Sequence, residues 1–282
     1  MGYPTAPAGT GEMPLEAVIA RLAAHPQAEG ILLMGTTGTS ALTPTSDYDL
    51  LLILGDGAGP LALVQTWIDG RLTEVYCTPV PALERIVVGS TSWPDYSEEG
   101  AIVRWLRDGR IAHDRTGRLR LAQERACAAP PPPPANEREV YGAWRSIGYN
   151  VAQTRRYLAS DDPEALEAVD WRLLHGLAEV QGRYFTVRRL PWRGEKAAIH
   201  HLAEHDPDFL ALLRRCLAEP DRRRKVAQYE ELARHALAPV GGLWAVGMTV
   251  VAPGPGFGAA PDAEANGTAA TALAFWQEMI GV

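Results

Sequence analysis

Five consecutive prolines, Pro130–Pro134, constrain this chain more than any other feature. Proline fixes φ and has no N–H, so the run can neither continue a helix nor donate to a sheet, and it prefers an extended polyproline II form. The 282 residues are therefore expected to fold as two units on either side of a semi-rigid spacer. The expected divisions are a first domain at 1–127, a linker at 128–136, a second domain at 137–238 and a Gly/Pro/Ala-rich tail at 239–282. The tail is read as mobile, with a short helix in LAFWQEMIGV near its end.

Ahead of the spacer, hydrophobic periodicity predicts an alternation of helices and strands. After a frayed start at 1–13, PLEAVIARLAA (14–24) places apolar side chains at helical spacing. GILLMG (30–35) and YDLLLILG (48–55) are short apolar runs bounded by turn residues, and read as buried strands. PLALVQTWI (60–68) reads as a helix opening on a proline, and RLTEVYCTP (71–79) as a third strand. Further helices are expected at 80–89 and 100–109. The fold class that follows is α+β, a mixed sheet with flanking helices. Beyond the spacer the chain is rich in Leu, Ala and Arg, and helices are expected near 137–159, 163–187, 195–218 and 221–237. Four antiparallel helices make an all-α bundle.

Charge argues against some functions. Residues 1–127 carry 10 Lys and Arg against 15 Asp and Glu, and residues 137–238 carry 17 against 16. Neither region has the clustered basic face of a nucleic-acid binder, so no nucleic-acid partner is expected. Cys77, Cys127 and Cys216 are far apart and unpaired by spacing, which predicts neither a zinc site nor a disulfide framework. No long apolar run or secretory leader is evident, so the expected setting is cytoplasmic, without a membrane partner.

The chemistry is concentrated between Gly35 and Leu50, in Gly-Thr-Thr-Gly-Thr-Ser-Ala-Leu-Thr-Pro-Thr-Ser-Asp-Tyr-Asp-Leu. A strand ends at Gly35, a turn of small hydroxyl residues follows, and a second strand opens with Asp47 and Asp49. Alternation puts the two aspartates on one face, about 6.5–7 Å apart along the backbone. Glycine at the turn lets backbone N–H groups approach phosphate oxygens closely. Glu74, on the next expected strand, would add a third oxygen ligand if that strand lies beside the first pair. Magnesium suits such a donor set: a few carboxylates, a substrate's own phosphates and retained waters. Two ions about 3.5–4 Å apart would stabilise both the attacking and the leaving oxygen of an in-line displacement.

Gly35-Thr36, ten residues, then Asp47-Tyr48-Asp49 and a later acid resembles the signature of the nucleotidyltransferase superfamily. With a helical second domain, the chain is most similar to the aminoglycoside and lincosamide nucleotidyltransferases. The resemblance implies Asp47, Asp49 and Glu74 as catalytic magnesium ligands, Glu74 also as a general base. It implies that Gly35, Thr36 and Ser46 line an ATP triphosphate, and that two Mg²⁺ ions assist. Lys196, one of only two lysines, stands just inside an expected helix start and would reach the triphosphate as a point charge. The implied reaction moves AMP from ATP to a hydroxyl of a small molecule, such as an aminoglycoside-like antibiotic, at a cleft between the domains.

Two other readings follow from the same motif. One is an antitoxin-type adenylyltransferase that modifies a partner protein; the other is a silent nucleotide-binding module. The run Arg222-Arg223-Arg224-Lys225 is expected to be a solvated helix face, and His200, His201 and His205 ordinary polar residues rather than metal ligands.

Overall fold

The computed structural model describes residues 10–55, 61–88, 98–254 and 267–280. The chain divides into two compact units, residues 1–133 and 134–282. The expectations for the first nine residues, for Pro60, for residue 89 and for 255–266 and 281–282 lie outside the described residues.

The first unit begins with α1 (Leu15–Ala24), followed by strands β1 (Ala28–Met34), β2 (Tyr48–Leu54), β3 (Leu63–Ile68) and β4 (Arg71–Pro79). Helices α2 (Val80–Val88) and α3 (Glu98–Asp108), strand β5 (Arg110–Asp114) and helix α4 (Arg118–Ala128) complete it. The five strands form one mixed sheet in the order β3-β4-β2-β1-β5. Only β2 and β4 run parallel; the other three pairings are antiparallel.

Both faces of the central strands are buried, which explains why β1 and β2 read as continuous apolar runs rather than alternating ones. Leu51 and Ile53 face a core with residues of α2, α3 and α4. Leu50 and Leu52 face the opposite core, with Leu15 and Val18 of α1.

The segment expected as a helix at 60–68 is strand β3 instead. It pairs with β4 from Leu63↔Tyr76 to Ile68↔Arg71, and the two connecting residues Asp69 and Gly70 have φ of 52° and 69°. Positive φ at both positions is the two-residue turn whose twist matches a hairpin, and Asp-Gly is among its favoured sequences. Tertiary pairing thus outweighs the proline start and the Ala/Leu content. Residues 10–13, expected to fray, are tied to this hairpin: Asp69 N–H donates to the Met13 carbonyl (3.0 Å) and Gly70 N–H to that of Gly11 (2.7 Å).

The second unit is helical: α5 (Glu137–Leu158), α6 (Pro163–Val187), α7 (Glu195–His205), α8 (Pro207–Ala218) and α9 (Arg222–Leu237), then a single 3₁₀ turn and α10 (Ala269–Ile280). Local chemistry sets the starts. Asn136 and Glu139 form a reciprocal capping box on α5, and Asp162 caps α6 ahead of Pro163. The single helix expected at 195–218 is two. Pro207 has no N–H to give Ala203 and disfavours helical geometry at the residue before it, so the chain breaks at Asp206 (φ −150°, ψ 64°). Asp206 then caps α8 through Phe209 N–H at 3.1 Å. Two members of the basic run at α9 are paired at the surface, Arg222 with Asp170 and Arg224 with Glu219.

Asp206 also accepts from Tyr184 Oη (2.8 Å) and bonds His235 Nε2 (2.9 Å), tying the α7–α8 break to α6 and α9. Burial opposes charge on Asp206, but the bonds from Tyr184, Phe209 N–H and His235 outweigh it and lower its pKa. Burial, with the bond to Asp206, pushes the Tyr184 hydroxyl up to about 12, so it remains a donor at neutral pH. A carboxylate with a depressed folded pKa contributes stability above its unfolded pKa of about 3.9, and that contribution is lost as pH falls through the folded value. Asp206→Asn is therefore expected to be less stable than wild type at pH 7, with the gap narrowing below about pH 4. Urea melts at pH 7 and pH 3 check this; a gap independent of pH would contradict it.

Candidate functional site

The candidate site lies at one end of the sheet in the first unit, where β1 finishes and β2, β4 and β5 begin. The ladders align a row across four strands: Gln65 opposite Glu74, Glu74 opposite Asp49, Asp49 opposite Met34. Asp49 and Glu74 are thus direct partners on adjacent parallel strands, about 4.8 Å apart at the backbone. Both are half-buried, on the face that farther along buries Leu51 and Ile53. Asp47 precedes β2 by one residue and is exposed.

Gly35, at the exit of β1, has φ +54°, and a Cβ there would sit 3.0 Å from Asp49 Oδ2. Glycine is needed twice over, for the left-handed backbone and for the close approach of the carboxylate. The following turn is held by its own bonds. Thr37 N–H donates to the Met34 carbonyl (3.0 Å) and Thr39 N–H to that of Thr36 (3.1 Å). The N–H groups of Thr36, Gly38 and Ser40 donate to no acceptor among the described residues. Alternate amides thus remain available in a turn with two positive-φ glycines, an arrangement that forms anion-binding nests.

Thr37 is buried, and its Oγ1 accepts from Asp49 N–H at 2.8 Å. The turn therefore fixes the backbone that carries the acid. Thr37→Val keeps the shape but strips the acceptor from a buried N–H, and should cost about 1–3 kcal/mol. Thr37→Ser should retain most of that stability. Chemical denaturation of both variants checks the contrast, and equal stability would contradict it.

Ser46 is buried and serves the loop itself: its Oγ accepts from Thr43 N–H at 3.0 Å. Arg71 donates to the carbonyls of Thr43 (2.6 Å) and Ser46 (2.8 Å) and lies over the Tyr48 ring at 5.5 Å. The segment from Thr43 into β2 is braced from the start of β4.

Both oxygens of Glu74 are engaged, Oε1 by Gln65 Nε2 (2.8 Å) and Oε2 by Tyr76 Oη (3.1 Å). Burial, then the bond to Glu74, raises the Tyr76 pKa, so the hydroxyl donates at neutral pH. Its ring packs on Trp105 with centroids 4.8 Å apart. Among the described residues no three His, Cys, Asp or Glu side chains are gathered closely enough to hold a metal ion. The donor chemistry nonetheless fits a hard divalent cation: carboxylates on neighbouring strands, beside a glycine whose Cβ would crowd Asp49. Each Glu74 oxygen, with one bond accepted, keeps a second lone pair.

The structure brings Gly35, Asp49 and Glu74 together, with Asp47 just upstream and Thr36 half-buried in the turn. Lys196 belongs to the second unit, exposed in the first turn of α7. Thr37, Gln65, Arg71 and Tyr76 did not emerge from the sequence. The roles of Thr37, Gln65 and Arg71 depend on strand pairing, for which the one available signal was the Asp-Gly turn that creates the β3–β4 hairpin, whereas Tyr76 meets Glu74 two residues away along β4.

No family model matches the sequence, and no curated protein matches it. Among solved structures, the chain is similar to a nucleotidyltransferase-like protein from Exiguobacterium sibiricum 255-15. The identity is 15% and the TM-score 0.41, over 79% of this chain and 73% of that one. Among the described residues no helix is long and apolar enough to cross a membrane.

Proposed function

We propose that this chain is a magnesium-dependent nucleotidyltransferase that moves a nucleoside monophosphate, AMP from ATP, onto a hydroxyl of a small acceptor. The observation that carries this reading is the direct pairing of Asp49 with Glu74 beside the positive-φ turn at Gly35. Asp47, Asp49 and Glu74 are the residues that would hold Mg²⁺. The bound ion would neutralise the triphosphate and make its α-phosphorus more electrophilic.

The residues of the chain do the rest. Gly35 and Thr36 admit the triphosphate to the free amides of the turn, and Thr37 holds Asp49 in place from behind. The acceptor oxygen attacks the α-phosphorus, its proton passes to a Glu74 oxygen, and pyrophosphate leaves. Phosphoryl-type transfer needs mainly positioning and charge stabilisation, which a rigid sheet end supplies. The acceptor we favour is a cationic polyhydroxyl molecule of the aminoglycoside kind, since residues 1–127 carry five more acidic than basic side chains.

The test is a mass-shift screen. The protein is incubated with Mg²⁺, four nucleoside triphosphates and a panel of hydroxyl-bearing small molecules including aminoglycosides. The expected result is one acceptor gaining a single nucleotidyl group. A nucleotidylated protein instead of a small molecule would replace the acceptor class, and nucleotide binding without transfer to any acceptor would contradict the enzyme.

A further inference from the structure

Arg110 is the first residue of β5, paired with Leu33 near the end of β1, so it stands at the same end of the sheet as the glycine turn. Its placement is enforced locally. A Cβ at Gly109 would lie 2.6 Å from both Leu32 Cδ2 and the Trp105 carbonyl, so only glycine lets α3 end and β5 begin this tightly. The guanidinium reaches over the turn: a Cβ at Gly38 would sit 2.5 Å from Arg110 Nη2 and 3.1 Å from Leu33 Cδ1. Gly38 has φ +70°, so its backbone favours glycine as well.

Three other arginines in this unit spend their donors on the fold. Arg71 bonds two loop carbonyls, Arg107 the carbonyls of Ala126, Ala129 and Pro130, and Arg115 those of Ala23, His25 and Ala28. The Arg110 guanidinium forms no hydrogen bond or ion pair among the described residues. An uncommitted planar cation therefore lies against a turn whose Thr36, Gly38 and Ser40 amides are also uncommitted. Asp49 approaches that turn at Gly35 and Arg110 at Gly38, three residues on.

We infer that Arg110 is a polyphosphate-binding residue, gripping the terminal phosphates of the nucleoside triphosphate and then the departing pyrophosphate. The inference rests on the nucleotidyltransferase reading and assigns it a recognition group for the leaving end of the substrate. An anion at the turn would be met by backbone amides and a forked guanidinium together, and Arg suits phosphate because its donors are planar and paired. A nucleoside monophosphate lacks the phosphates that Arg110 would hold.

The experiment titrates wild-type protein, Arg110→Gln and Arg110→Lys with inorganic tripolyphosphate, and separately with AMP, in Mg²⁺ by calorimetry. Arg110→Gln should weaken tripolyphosphate binding about ten- to a hundredfold and leave AMP affinity unchanged. Arg110→Lys, which keeps the charge without the fork, should fall between. If Arg110→Gln lowers the melting temperature, the lysine variant, retaining an aliphatic stem over Gly38, decides the same question. Wild-type affinity for tripolyphosphate in both variants would overturn the role of Arg110 and leave the proposed transfer standing. A wild-type protein that ignores tripolyphosphate in Mg²⁺ would overturn both.

Discussion

Asp49→Asn is expected to lower nucleotidyl transfer about a thousandfold while leaving the fold intact. Asparagine has nearly the same shape, so the β2 ladder to Met34 and Glu74 should persist, as should the bond from the residue 49 N–H to Thr37. What disappears is a negative charge at the point where the proposed site must hold a divalent cation against a triphosphate. A neutral amide is a poor ligand for a hard cation. Asp47→Asn should act in the same direction from its exposed position at the start of β2. Transfer assayed with the acceptor from the mass-shift screen checks both, alongside circular dichroism to establish folding. Wild-type turnover in Asp49→Asn would remove that carboxylate from the chemistry.

Phe209→Ala should destabilise the second unit by about 3–5 kcal/mol, through lost burial and the cavity left behind. Phe209 is fully buried near the start of α8. Its ring lies 4.4 Å from Tyr184 of α6 and 5.5 Å from His235 of α9, centroid to centroid. One side chain thus joins three helices beside the Asp206 break. Because a domain of this size is stable by only about 5–15 kcal/mol, the loss is a large fraction of the whole. The melting temperature should fall by roughly 10 °C. A change below about 1 kcal/mol would mean that the helices collapse around the gap.

Legibility in the sequence followed burial. The strands Ala28–Met34 and Tyr48–Leu54 are apolar on both faces, and their runs announced them. Edge strands carry less signal. In β3, Leu63 and Trp67 are substantially exposed, so the pairing partner rather than the local pattern decides the conformation. Strand β5 is five half-buried or exposed residues opening on an arginine, and α4 buries only Leu119, Ala122 and Ala126 among arginines. Both went unassigned for want of a clear apolar period. The same holds for the candidate site. Asp47, Asp49, Glu74 and Gly35 could be named because their spacing along the chain carries meaning by itself. Thr37 against the Asp49 amide, Gln65 on Glu74, and Arg110 over Gly38 are products of register. Each links residues that are distant in sequence or hidden in a turn, and no local pattern marks them.

The end of the sheet, with Asp49 and Glu74 abreast beside the Gly35 turn, is proposed to receive a triphosphate through a divalent cation. Calorimetric titration of the purified protein with ATP, once in Mg²⁺ and once in EDTA, tests it most directly. Saturable binding is expected in Mg²⁺, lost in EDTA and sharply weakened in Glu74→Gln. Equal affinity with and without the cation, or a Glu74→Gln variant that binds as tightly as wild type, would contradict it.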